Sequence, residues 1–152
     1  MTIYELRQVA TPDDWREMHR LRRDVLFAPF RKQGIVYDEN HPDDRHPANL
    51  PLLLRVGGRP AGITRLDIEG SVAIVRLVAI APDLQRQGHG RQMSRLVDRE
   101  ARRRGVTLLR VNAAPEAVGF YEATGWHRRE WDREELSGIA ADCIQMERSL
   151  EG

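Results

Sequence analysis

The chain contains one cysteine, Cys143, and one lysine, Lys32, and each scarcity removes a class of chemistry. A lone thiol has no partner for an internal disulfide and no second thiol with which to hold a metal, so neither oxidative nor zinc stapling is expected. Cys143 is expected to pack in the last strand. With its only lysine at position 32, the chain lacks the Gly-Lys-Ser/Thr ending of a Walker phosphate loop. Long apolar runs are missing too. None approaches the roughly 20 residues that span a bilayer, and residues 1–7 lack the apolar core of a signal peptide, which makes a cytoplasmic location the default expectation. Net charge is almost absent: 24 basic against 23 acidic residues leave +1. That balance gives no ground for expecting nucleic acid or a membrane as partner.

What is present suits one soluble domain spanning residues 1–152, with 41% apolar and 31% charged residues. A chain of this length buries roughly two-thirds of its unfolded surface around one core. Residues 3–9 read as a strand. Thr11-Pro12-Asp13-Asp14 reads as a helix start, with a Thr cap, Pro in the first turn and acids beside it, and the apolar stripe Trp15, Met18, Leu21, Val25, Leu26 predicts a helix to about Phe27. Prolines 29, 42 and 47 and Gly34, among Asp, His and Asn, predict a long surface loop over 29–49 with a short helix near Arg31. Residues 50–56 and 61–68 read as a hairpin about Gly57-Gly58. Residues 72–81, nearly all apolar, read as a central strand buried on both faces, in which Arg76 requires a partner or a wet cleft. A helix over 90–104, a strand over 107–111, a short helix over 115–124 and closing strands over 126–131 and 140–148 complete the order. The class is α/β or α+β, with a mostly antiparallel sheet flanked by helices.

The central strand runs into Gln85-Arg86-Gln87-Gly88-His89-Gly90-Arg91, and a helix opens there. Glycines let a ligand approach the backbone, and a helix start offers unpaired N–H groups and a positive dipole end, so the segment reads as an anion cradle. A dinucleotide fingerprint needs a third glycine and a later acidic ribose contact, and only Gly88-x-Gly90 is present. The segment over 111–126 adds a second signal: Asn112 at a strand end, the pair Phe120-Tyr121 on the next helix, and Gly125-Trp126. Together the two segments, over residues 74–127, resemble the GCN5-related N-acetyltransferase (GNAT) family, whose cofactor loop is matched at Gln85, Gly88 and Gly90. Its Asn…Phe-Tyr-x-x-x-Gly-Phe pattern is matched with Trp126 in place of the final Phe.

The resemblance implies an acetyl-CoA-dependent N-acetyltransferase acting on a primary amine of a small molecule or peptide, by direct attack in a ternary complex. The backbone of Val78, Ala79 and Ile80 would hold the pantetheine arm as an added strand. Gln85 would shape the loop, the amides of Arg86, Gln87, Gly88, His89, Gly90 and Arg91 would hold the pyrophosphate, and Asn112 would bond the pantetheine or a water. Tyr121 would be the general acid, on the expectation that Phe120 faces the core. For the general base, Asp67 and Glu69 are candidates, because they lie on or near the strand before the central one. Arg31, His41, His46 and Arg76 are candidate acceptor contacts. The carboxylates and imidazoles of 38–46 lack the spacing of a metal site, and no metal is expected. Dimers are common in the family, and the closing strands would suit a homodimer. Two other readings remain open at this point: an acyl-CoA-binding or sensing domain without turnover, and a nucleotide-binding protein.

Overall fold

Thr11 starts the first helix as its sequence demands. Its hydroxyl accepts from the Asp14 N–H (3.1 Å), and the Asp14 carboxylate accepts in turn from the N–H of Thr11 (3.2 Å), a reciprocal capping box over α1 (Pro12–Leu21). In the computed structural model, which describes residues 2–151, the helical path continues beyond α1 as a π-helical turn, Arg22–Phe27, and a 3-10 turn, Ala28–Gln33. The helix expected to reach Phe27 does so with a change of winding. The loop expected over 29–49 keeps part of that 3-10 turn and a second one, Pro42–Arg45.

Among the described residues seven strands form one sheet: β1 (Tyr4–Gln8), β2 (Asn49–Val56), β3 (Arg59–Glu69), β4 (Val72–Ile80), β5 (Leu108–Ala113), β6 (His127–Arg128) and β7 (Ile144–Ser149), in the order β1-β2-β3-β4-β5-β7-β6. All neighbours are antiparallel except β4 and β5, which α2 (His89–Arg103) connects in parallel. α3 (Val118–Ala123) follows β5 after a 3-10 turn. The last two strands are shorter than expected. Only His127–Arg128 of the expected 126–131 strand pairs with β7, because the Gln145 side chain accepts from the N–H groups of Trp131 and Asp132 (2.8 Å each) and draws the chain across the sheet.

Strand alternation sorts the sheet into two unlike faces. Leu52, Leu54, Leu66, Val75, Leu109, Val111 and Met146 pack in one core with Met93, Val97 and Ala101 of α2 and with Val118 and Tyr121 of α3. On the other face a smaller core of Leu53, Ile63, Ala79 and Ala81 receives Met18 and Leu21 of α1. Beyond that smaller core, the same face carries charge: Arg65 and Asp67 on β3, Arg76 on β4, Arg110 on β5 and Glu147 on β7. Among the described residues no helix is long and apolar enough to cross a membrane.

Candidate active site

The parallel pairing is short. β4 and β5 stay in register from Val72–Leu108 to Val75–Val111 and then part, while β4 keeps pairing with β3 as far as Ile80. The result is a fork whose β4 lip is a strand edge. Within that lip two residues, Leu77 and Val78, stand opposite Thr64 alone, and Leu77 takes φ +55°, a bulge that turns the strand. Thr64 secures it by donating its hydroxyl hydrogen to the Arg76 carbonyl (2.9 Å). Past the bulge, the Ala81 N–H bonds Ala61 O on β3 (2.8 Å), so by alternation the N–H and C=O of Ile80 turn away from β3. Accordingly, Gln85 Nε2 donates to the Ile80 carbonyl at 3.0 Å. Gly62 backs this lip: a Cβ there would lie 2.8 Å from Ile80 Cδ1 and 3.2 Å from Met93 Sδ.

At the end of the lip, Arg86 and Gly88 both take left-handed conformations (φ +62° and +87°), and Gly88 caps α2. Left-handed positions flanking Gln87 suit a concave run of backbone N–H groups, next to the free amides that any first helical turn offers. Gln87 Nε2 braces the loop on the Asp83 carbonyl (3.0 Å), and His89 Nδ1 meets the Tyr4 hydroxyl (2.9 Å). Arg86, Arg91, Arg95 and Arg99 are exposed in this loop and on the outer face of α2, so the approach to the loop is cationic. An extended phosphate-bearing ligand fits here: amides at the loop for the anion, and a strand edge for an amide-containing arm.

On the opposite face of the sheet the charges form one hydrogen-bonded chain. Tyr37, whose hydroxyl pairs with His19, accepts from Arg22 Nη1 (3.3 Å), and Arg22 also donates to Asp44 (2.8 Å). Asp44 accepts from Arg65 (3.0 Å), Arg65 is bidentate to Asp67 (2.7 and 2.9 Å), and Asp67 accepts from Arg76 Nε (2.7 Å). Arg76 Nη1 then donates to Glu135 (2.6 Å), which also accepts from Asn112 Nδ2 (3.3 Å); Asn112 Oδ1 accepts from Gln145 (3.0 Å). Burial opposes ionisation of Asp44, but Arg22 and Arg65 outweigh it and hold its carboxyl below the usual range. The Arg76 hydrogen bond does the same for Glu135.

The sequence candidates fall into three groups. Val78, Ala79 and Ile80 lie on the β4 lip of the fork, and the loop from Gln85 to Arg91 lies at its end. Asp67, Arg76 and Asn112 gather at the fork on the charged face, but each is already engaged by protein partners. Glu69 does not join them: it pairs with Val72, four residues of strand from Arg76, or about 13 Å at the usual rise. His41 and His46 are turn caps, their Nδ1 atoms accepting from the N–H groups of Asp43 (3.2 Å) and Ala48 (3.1 Å) at the two ends of the turn that carries Asp44. Arg31 is exposed on the 3-10 turn. The expected orientation of the aromatic pair is reversed: Phe120 is 38% exposed beside Gly90, whereas Tyr121 is 8% exposed, edge-on to Phe120 and Trp126. Burial pushes the Tyr121 phenol up to about 12. Glu135, Gln145, Arg65 and Asp44 escaped the sequence reading. For Arg65 a signal existed, a charge inside an apolar strand; Glu135 lies in an acidic stretch with no period to single it out.

Residues 29–149 match the acetyltransferase (GNAT) domain family. The chain belongs to the GNAT family. The GNAT fold is also found by superposition. The ribosomal-protein-S18-alanine N-acetyltransferase of Escherichia coli gives a TM-score of 0.74 at 18% identity, over 99% of this chain and 96% of that one. The PaiA N-acetyltransferase of Thermoplasma acidophilum, crystallised with coenzyme A, gives 0.70 at 14% identity over 97% and 99%. The N-acetylglutamate synthase of Neisseria gonorrhoeae, crystallised with coenzyme A and N-acetyl-glutamate, gives 0.72 at 17% identity, with 99% of this chain covering 36% of that one. At these identities the likeness is one of fold. With the family match it makes the protein an acetyltransferase of GNAT architecture.

Proposed function

We propose that the protein transfers the acetyl group of acetyl-CoA to a primary amine by direct attack in a ternary complex, as one domain over residues 1–152. The observation that carries this reading is the fork. It opens toward the glycine loop along the β4 edge and toward the charged face at Arg76 and Asn112, so donor and acceptor can meet from opposite sides. The relatives crystallised with coenzyme A support that ligand for the donor side.

Bound acetyl-CoA supplies an activated thioester carbonyl and a sulfur leaving group. The amides from Arg86 to Arg91 hold its pyrophosphate, and the edge of Val78, Ala79 and Ile80 aligns its arm, with the Ile80 N–H placed to polarise the carbonyl oxygen. Tyr121 gives a proton to the departing thiolate. A phenol at about 12 stays protonated throughout the working range, and burial penalises its anion, so it donates only when a strong acceptor forms beside it. Both carboxylate oxygens of Asp67 are engaged by Arg65 and Arg76, and the amine loses its proton to water in the polar mouth of the fork.

Release of coenzyme A, followed over a panel of amines and checked by the mass of the product, tests the reading. Turnover is expected on at least one amine, and Tyr121→Phe is expected to lower kcat roughly 100-fold while leaving the acetyl-CoA Kd unchanged. Tight acetyl-CoA binding without turnover on any amine would reduce the protein to an acyl-CoA binder.

A further inference from the structure

Glu135 bridges the two lips of the fork. Its Oε1 accepts from Arg76 on β4 and from Asn112 on β5, and these are the first residues beyond the last β4–β5 pair, Val75–Val111. The carboxylate therefore sits at the point where the strands part, on the face opposite α2. The ion pair is held from both sides. Arg76 Nε is fixed to Asp67 (2.7 Å), and Asn112 is fixed by Gln145, which also takes the N–H groups of Trp131 and Asp132 and so anchors the segment bearing Glu135.

Two polar atoms of this pair remain unused. Glu135 Oε2 and Arg76 Nη2 take no hydrogen bond among the described residues, and neither is sealed away. Among the described residues, the enclosed side-chain atoms without a partner are Nε and Nη2 of Arg22 and Nε1 of Trp126, none of them on this pair. The Arg76 and Glu135 side chains are 26% and 24% exposed. One charged acceptor and one charged donor are thus left on the same ion pair at the mouth of the fork, each on a group whose orientation is fixed.

We propose that Glu135 and Arg76 bind the acceptor and select an α-ammonium with an adjacent carbonyl oxygen, the chemistry shared by free α-amino acids and by the first residue of a peptide. The inference rests on the acetyl-transfer reading above. The ammonium donates to Glu135 Oε2, and the carbonyl or carboxylate oxygen three bonds from the nitrogen accepts from Arg76 Nη2. An alkylamine, such as a lysine side chain, satisfies the carboxylate and leaves the guanidinium nitrogen unmatched. A site built to hydrogen-bond a group discriminates against a ligand lacking it, because its own polar atoms are then desolvated without a partner. Glu135 is a binding group here and not the base, since the Arg76 hydrogen bond holds its carboxyl below the usual carboxylate range and makes it a poor proton acceptor.

The test is a comparison of acceptors at saturating acetyl-CoA: alanine and dialanine against butylamine and Nα-acetyl-lysine, with wild-type enzyme, Glu135→Gln and Arg76→Lys. The α-ammonium acceptors are expected to exceed the alkylamines at least tenfold in kcat/KM, and alanine against dialanine separates the free amino acid from the peptide. Glu135→Gln is expected to raise the acceptor KM roughly 10- to 100-fold, with the acetyl-CoA Kd unchanged. Arg76→Lys, which keeps the charge and loses the planar fork of donors, is expected to shrink the preference for α-ammonium acceptors while alkylamine turnover changes less. It remains decisive if Glu135→Gln lowers the melting temperature. Equal or better turnover of alkylamines, or an acceptor KM indifferent to Glu135→Gln, overturns the inference and leaves acetyl transfer standing. Turnover on no amine, with acetyl-CoA still bound, overturns both.

Discussion

Phe120 and Tyr121 stand side by side in the chain and face opposite environments, one at the surface beside Gly90 and the other in the core against Trp126. The dipeptide alone did not disclose which ring would turn inward, because α3 has only six residues and its apolar positions do not define a stripe. Its consequence for rate is specific. As the acid proposed above, Tyr121 would stop donating only above its own pKa, which burial has moved up to about 12, so no alkaline fall in kcat from Tyr121 is expected between pH 7 and 10. A rate profile in that range, compared with that of Tyr121→Phe, checks it. Asp14 gives a second pH dependence, in stability. Its hydrogen bond from Arg55 (2.7 Å), helped by those from Ala10 and Thr11, lowers its pKa to about 2. A depressed carboxylate contributes stability above the unfolded pKa and loses it as pH falls toward the folded one, so the contribution fades between about pH 4 and 2. Asp14→Asn is expected to cost about 1 kcal/mol at neutral pH and to flatten acid unfolding in that interval, read by denaturant titration at several pH values.

At the scale of elements, β4 shows what alternation and propensity reveal and what they hide. Its apolar run and central place were legible, as was the need of Arg76 for a partner. The bulge at Leu77 and Val78 was not, because an extra residue has no composition of its own and exists only relative to β3. Gly62 is its trace on the neighbouring strand. Gly62→Ala places a methyl 2.8 Å from Ile80 Cδ1 and 3.1 Å from the Ala79 carbonyl oxygen, and the second of these cannot move without moving β4. A loss of about 1–3 kcal/mol is expected, with a raised KM for acetyl-CoA as the lip shifts and little change in the acceptor KM. Residues 126–131 read as a closing strand, of which β6 keeps His127–Arg128. What overrules the rest is a single distant side chain, Gln145, which no local window contains.

Across the whole molecule, the two faces of the sheet divide the labour, an apolar core with α2 and α3 on one side and a row of ion pairs on the other. The apolar side was readable from periodicity, and the glycine loop with it. The row of ion pairs joins residues as far apart as Arg22 and Glu135, and such pairings are set by strand order, which a sequence does not display. Ligand binding should register globally. At 100 times its Kd, acetyl-CoA is expected to stabilise the fold by about 2.7 kcal/mol, a rise in melting temperature of roughly 5–10 °C for a chain of this size. Scanning calorimetry with acetyl-CoA, ATP and NAD distinguishes the intended ligand from other phosphates. The short parallel junction of β4 with β5 bears on folding as well. Strands β1 to β4 are antiparallel neighbours, β5 to β7 build a second unit, and among the described residues four residue pairs of the sheet join the two. Such a seam is where cooperative units separate first. Amide exchange should therefore be faster along residues 72–75 and 108–111 than in the heart of either unit, and a ligand lodged between the lips should slow it by tying one unit to the other.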